Sequence, residues 1–274
     1  MAVDKMVLAA ARRAGEASGV DPAVLLAVAL VETRGVALAK VDGRAEPLIR
    51  FEGHHFDRLL AAPARQRARA EGLASPRAGA VANPAAQEAR WRLFERAAAI
   101  DAAAAISATS WGLCQVMGGH WQALGYGSAE ALREAARASV DGQFAIGARF
   151  LKLGHLDRRL ADGDYAGFAR RYNGPAYQRN RYDEKIAAAW RESRRLLAAP
   201  APDERALLRA TRGETVRQLQ EILQRLGHDI GVDGIFGPAT EAALAASLRA
   251  FGMGAAGSDD AATLAQLMRQ AAAS

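Results

Sequence analysis

At 274 residues and 29.0 kDa the chain is long enough for one large domain and a second small one, and its 50% hydrophobic content excludes a wholly disordered protein. The formal net charge of +6, with a sequence pI near 9.9, favours polyanionic partners (nucleic acid, anionic lipid or an anionic cell wall) without choosing among them. One cysteine, Cys114, excludes an internal disulfide and a cysteine-built zinc cluster.

Aromatic residues make up only 6% of the chain and alanine and arginine are heavily used, so helices are expected more than sheet. The opening "MAVDKMVLAAARRAGEASG" has an early acid, and Arg12 and Arg13 interrupt its apolar run. No secretory leader is expected from it, which places synthesis in a cytoplasm. The longest apolar run, Val24 to Val31, is too short to span a bilayer. "DPAVLLAVALVE" carries a strong helix start, with Asp21 as N-cap and Pro22 at the first helical position, and Gly35 predicts its end. Residues 41–60 read as a turn and a short extended piece entering a helix around His55. Residues 63–84, with three prolines and many arginines, read as a surface loop with helical pieces. An Ala-rich helix is expected from Gln87 to about Ser107, and further helices over 128–137, 139–154, the segment stopped at Asn173-Gly174-Pro175, and "YDEKIAAAWRESRRLL".

"AAPAPDE", 198–204, reads as a semi-rigid linker, and the charge changes sign across it. From Asp203 onward seven arginines face nine acids, a net of −2. The preceding part holds 29 basic and 21 acidic residues, a net of +8. The expected division is a large basic domain over 1–197, a Pro/Ala linker over 198–206 and a small three-helix domain over 207–274. Within the last part, "GPATEAAL" and "DDAATLAQL" place Thr240 and Thr263 four residues before a leucine, a weak internal repeat.

Glu32 closes a run of apolar residues, where a charge is costly. Positions 25, 28 and 32 share a helix face, so its carboxyl meets Val28 and Leu25. Desolvation there raises a carboxyl pKa, the condition a glycosidase needs in its proton donor, although a solvated helix end is the plainer reading. Glu52, in "LIRFEGHHF", is a second carboxylate, read either as the partner acid of a glycosidase or as half of an ion pair with Arg50 or Arg58. "TSWGLCQVMGGHW" and "RRYNGP" read on their own as turns with aromatic anchors. Cys114 with His120 or His155 is a weaker nucleophile candidate, and Glu52 with His54 and His55 a weaker zinc candidate, because adjacent histidines on a helix diverge. The arginines of "RQRARAEGLASPR" have no interleaved aromatics for stacking on bases, so they read as a solvated face drawn at most to wall or outer-membrane phosphates.

Taken in order, "VALVETRG", "FEGHHF", "SWGLCQVMGGHW" and "RRYNGPAY" resemble the N-acetylmuramidase domain of phage endolysins, in the lysozyme-like superfamily alongside goose-type lysozymes and lytic transglycosylases. The resemblance spans roughly 190 residues, and its four motifs are specific together although weak singly. It implies a mainly α, lysozyme-like fold with at most a small β element. It also implies Glu32 as catalytic acid, followed here by Thr33 in place of serine. Gly112, Leu113, Gln115, Tyr172 and Asn173 would line the sugar cleft, and Trp111 is a further substrate-binding candidate. Two departures stand out: Cys114 where that turn usually has glycine, and the bulkier "VETRGVAL" after the glutamate.

The tail "VRQLQEILQRLGHDIGVDGIFGPATEAALAASLRAFG" resembles the small peptidoglycan-binding domain of cell-wall hydrolases, with Asp233, Gly234, Ile235, Phe236 and Gly237 at or beneath the wall-binding groove. Phe236 itself reads as core. The function implied is cleavage of the β-1,4 bond between N-acetylmuramic acid and N-acetylglucosamine, by a monomer that acts in the periplasm or cell wall. Its partner would be peptidoglycan glycan strands, with no nucleic acid and no stable membrane insertion, and no metal or cofactor is implied. The alternatives are a lytic transglycosylase forming 1,6-anhydromuramic ends and a non-catalytic wall-binding virion protein.

Overall fold

Asp21 Oδ1 accepts the Ala23 N–H at 2.8 Å and Pro22 pre-sets the first helical turn, so the chain enters a helix there, as the sequence predicts. The computed structural model describes residues 3–198 and 214–250, in two compact units divided between Ala199 and Pro200. In the first unit, α1 (Lys5–Ser18) precedes that central helix, α2 (Pro22–Thr33). Residues 23–29 of α2 are all buried, which explains why its sequence is apolar all round rather than striped. α2 ends on two left-handed residues, Arg34 and Gly35, with the Gly35 N–H returning to the Ala29 carbonyl at 3.0 Å.

Strands β1 (Leu38–Val41) and β2 (Arg44–Pro47) pair through the Asp42-Gly43 turn, where both residues have positive φ, as a two-residue hairpin turn requires. Strands β3 (Ile49–Phe51), β4 (Thr109–Trp111) and β5 (Val116–Met117) form a separate antiparallel sheet in that order. Between β3 and β4 lie α3 (Gly53–Leu59), α4 (Ala62–Ala70), α5 (Gln87–Ala98) and α6 (Ala102–Ser107). The single helix expected over 87–107 is therefore two. Asp101 caps a new start by accepting the Ala104 N–H at 2.9 Å, and a capping carboxylate inside an alanine run restarts the helix. Helices α7 (Ala129–Ala138), α8 (Val140–Leu153), α9 (Leu156–Ala161), α10 (Tyr165–Asn173) and α11 (Tyr182–Ala198) complete the unit. α11 runs along α2, and the Ser193 hydroxyl, fully buried, bonds the Ala23 carbonyl at 2.7 Å.

The arginine-rich stretch is largely exposed, as expected of a solvated face, but its arginines are engaged within the protein. Arg69 grips the buried Asp57 through two bonds of 2.6 and 2.8 Å, and Arg65 donates to the Asp57 and Leu60 carbonyls. Both clamp α4 onto α3, while Arg67 pairs with Glu71. Across the molecule, Arg137 of α7 binds buried Glu46 through both oxygens and so fixes the β1–β2 hairpin.

The second unit has α12 (Glu214–Arg225) and α13 (Pro238–Ala250) around Val216, Leu219, Leu223, Ile230, Phe236, Ala243 and Leu244. The repeat at 259–267, and any third helix, lie outside the described residues. Phe236 is buried, as the sequence reading of its ring as core expects.

Cys114 has a packing partner that the sequence does not reveal. A Cβ on Gly147 of α8 would lie 2.4 Å from its Sγ, so cysteine in the turn and glycine in the helix fit as a pair. Gly147→Ala should therefore cost about 1–3 kcal/mol through overpacking. Adding Cys114→Gly should recover most of that loss, measured by denaturant unfolding of both variants.

Candidate active site

Glu32 is the next-to-last residue of α2, and its helix neighbours Val28 and Leu25 are fully buried. Tyr182, the first residue of α11 and itself buried, donates its hydroxyl to Glu32 Oε1 at 2.5 Å. Burial pushes the Glu32 carboxyl above its ordinary value, and the Tyr182 bond and the positive charge of Arg50 only partly offset it. The Tyr182 ring stacks on Tyr172, which stacks on Phe168, with centroids 6.1 and 5.3 Å apart. Burial, with the negative charge of Glu32 next, holds both phenols well above their usual range, so each is a neutral donor. Sequence reasoning missed Tyr182. It lies 150 positions from its partner, and an aromatic residue opening a helix carries no local mark of such a role.

The turn between β4 and β5 lies against this group. Gly112 and Gln115 both have positive φ, of 66° and 46°. The Gly112 N–H reaches the Leu48 carbonyl, and Gln115 Nε2 bonds the carbonyls of Leu48 at 3.1 Å and Gly112 at 2.8 Å. Thr33, next to Glu32, directs its hydroxyl toward the Leu113 carbonyl at 3.3 Å, and Tyr172 donates to the Cys114 carbonyl at 2.5 Å. One turn is thus tied to the residue after Glu32 and to the tyrosine stack that holds Glu32.

Two expected cleft residues are placed otherwise. Trp111 is 1% exposed, its indole N–H bonds the Ile106 carbonyl, and its ring meets Trp91 and Phe94 edge-on, so it has no face for a sugar. The Leu113 side chain is also wholly buried, and only the backbone of that residue joins the turn. An alternating pattern would have marked an outward Trp111, but this three-residue strand is buried on both faces. Asn173 is exposed at the end of α10, with no hydrogen bond from its side chain among the described residues.

Glu52 precedes α3 and forms the ion pair considered from its sequence: Arg50 Nε donates to Oε1 at 2.7 Å, with His54 Nδ1 3.5 Å from Oε2. Arg50 therefore touches one carboxylate and acts through its charge on the other. The His54 and His55 rings lie 4.4 Å apart, and Arg58 bonds His55 instead of Glu52. Cys114 is buried and its thiol pKa is pushed far up by desolvation, which removes the thiolate that a nucleophile needs.

In the second unit, Asp233 Oδ1 accepts the Ile235 N–H and Gln220 Nε2, both at 2.8 Å, and these bonds hold its carboxyl below the usual range. Gly234, at φ 73°, donates its N–H to Gln220 Oε1. The loop leaves Ile235 exposed while Phe236 anchors it, and the Gly237 N–H returns to the Ile235 carbonyl at 2.9 Å. No helix among the described residues is long and apolar enough to cross a membrane.

Comparison with known proteins places the chain in a family. The family model for N-acetylmuramidase matches residues 21–194, and that for a peptidoglycan binding domain matches residues 212–267. No curated protein matches the chain. Among solved structures, the crystal structure of the Burkholderia AP3 phage endolysin is similar, with a TM-score of 0.58 and 35% identity over 69% of this chain and 71% of that one. The matched span runs from the cap of α2 through Glu32 to Tyr182 and most of α11, and the chain belongs to the N-acetylmuramidase family, glycosidases acting on peptidoglycan, with a peptidoglycan-binding domain behind the catalytic one.

Proposed function

We propose that Glu32 is the proton donor with which this muramidase cleaves the β-1,4 bond between N-acetylmuramic acid and N-acetylglucosamine. The observation that carries this reading is a desolvated carboxyl with a raised pKa, oriented by one phenol on one of its oxygens. The protonated carboxyl gives its hydrogen to the glycosidic oxygen as the C–O bond breaks and positive charge spreads over the ring carbon and oxygen. Water then adds to that carbon and its proton returns to a carboxylate.

Glu52 is the second carboxylate of this reading. With Arg50 bound to it, it either faces the developing positive charge and activates water, or holds Arg50 where its charge tempers Glu32. Gln115 and Asn173, with the backbone of Gly112 and Leu113, form the sugar-binding wall, and Tyr172, stacked between Phe168 and Tyr182 with its hydroxyl on the Cys114 carbonyl, braces that turn. The catalytic part is residues 1–197, joined through 198–206 to a wall-binding domain over 207–274. That domain tethers the enzyme to its polymer and raises local concentration, with Asp233–Gly237 as the contact loop. The protein works as a monomer in the wall compartment, and its excess positive charge draws it toward anionic envelope phosphates.

Glu32→Gln should lower turnover of purified peptidoglycan by about 10²–10⁴-fold, the range general acid catalysis supplies. Mass spectrometry of the digests separates the readings. Reducing muramic ends lost in both Glu32→Gln and Glu52→Gln assign chemistry to both carboxylates. Loss with Glu32→Gln alone leaves Glu52 to hold Arg50. Anhydromuramic ends from the unaltered enzyme would make it a transglycosylase.

The basic limb of kcat/KM should report loss of the Glu32 proton. Tyr182→Phe removes a bond that favours the charged carboxylate, so it should move that limb to higher pH.

A pKa raised by folding also has a consequence for stability. Folding retains a proton that the unfolded chain releases, so Glu32 costs stability as pH rises through its unfolded value, ordinarily 4.5, up to its folded one. Glu32→Gln should therefore unfold at higher temperature than the parent at neutral pH. The gain should shrink to nothing as pH falls below the ordinary carboxyl range, as scanning calorimetry can show.

A further inference from the structure

The 112–115 turn is held in a shape its own residues do not favour, since Gln115 adopts the left-handed region that side-chain-bearing residues rarely enter. Such a conformation persists only where the surroundings over-determine it. One of the groups that hold it comes from α8. Gln143, 1% exposed, accepts the Leu113 N–H on Oε1 at 3.0 Å. The same amide donates from Nε2 to the Ala37 carbonyl at 3.3 Å, four residues past the end of α2. It also lies against Gly112, where a Cβ would meet its Cγ, Oε1 and Cδ at 2.8, 2.9 and 3.0 Å. One buried amide thus spans the exit of the helix that carries Glu32 and the turn that Thr33 and Tyr172 hold from the other side.

We infer that Gln143 is a positioning residue, which sets the spacing between the end of α2 and the 112–115 turn and so aligns Glu32 with the bound sugar. This rests on the reading of Glu32 as the acid. The amide touches no substrate and acts through the backbone of Leu113 and Ala37. Without it the Leu113 N–H is buried with no acceptor, and the turn relaxes toward an ordinary conformation. A displacement of about 1 Å between acid and substrate can cost on the order of 10²-fold in rate.

The test measures kcat and KM on soluble peptidoglycan glycan strands, with circular dichroism and thermal unfolding of every variant, for Gln143→Met, Gln143→Glu and Glu32→Gln. Gln143→Met, close in volume but without the polar groups, should fold and lose about 10- to 100-fold in kcat, with KM changed far less. Gln143→Glu, which keeps an oxygen for the Leu113 N–H, should recover part of that loss. Wild-type kcat in folded Gln143→Met, or Gln143→Glu no better than Gln143→Met with both folded, overturns the proposal and leaves Gln143 a core brace. If Gln143→Met does not fold, Gln143→Asn serves instead, since it keeps both polar groups on a side chain one carbon too short to span Leu113 and Ala37. The same kcat loss then supports the proposal and an unchanged kcat overturns it. Activity retained by Glu32→Gln would instead overturn the assignment of the acid, whatever the Gln143 variants do.

Discussion

A carboxyl group three residues past a run of seven consecutive buried ones has little water to hold its charge, and the elements of the first unit around Glu32 answer that constraint. Desolvation raises the Glu32 carboxyl above its ordinary value, and Tyr182 and Arg50 temper the effect without removing it. A proton donor must hold its proton at working pH and still release it, so opposing influences on one group suit the task. Tyr182 adds direction, because a phenol bonded to one oxygen restrains the rotation of the carboxyl.

The support extends outward from that bond in packed layers. Tyr182 stacks on Tyr172 and Tyr172 on Phe168, so aromatic faces register α10 against α11, and the Tyr182 hydroxyl ties α11 to α2. Tyr172 in turn spends its hydroxyl on the Cys114 carbonyl. The strained turn at 112–115 is therefore tied through Tyr172 to the stack that ends on Glu32.

Both units use a buried glutamine to hold a loop. Gln143 spans the Leu113 N–H and the Ala37 carbonyl in the first. In the second, Gln220 takes the Gly234 N–H and reaches Asp233, the Ile235 carbonyl and Thr240. A neutral amide offers donor and acceptor together and avoids the desolvation cost of a buried charge. Charge is used differently: the arginines near α3 and α4 are largely committed to Asp57, Glu71 and backbone carbonyls, so net charge overstates what that stretch offers a polyanion.

Whatever rests on local chemistry was legible in the sequence. Asp21 and Pro22 start α2 and Glu32 stands at its end, and both follow from caps and periodicity read within a dozen residues. The order of four short motifs pointed to the family. The break at Asp101 is local chemistry as well, a capping carboxylate within an alanine run, but the sequence reading ran one helix through it. Tertiary structure alone decided the rest. Trp111 faces inward because both sides of its short strand are covered, and of the two partners the sequence offered Glu52 the fold chose Arg50, while Arg58 turns to His55. Tyr182, Gln143 and the fit of Cys114 to Gly147 join residues tens to more than a hundred positions apart. Such contacts exist only once α2, α8 and α11 have packed, and no pattern within a single helix encodes them.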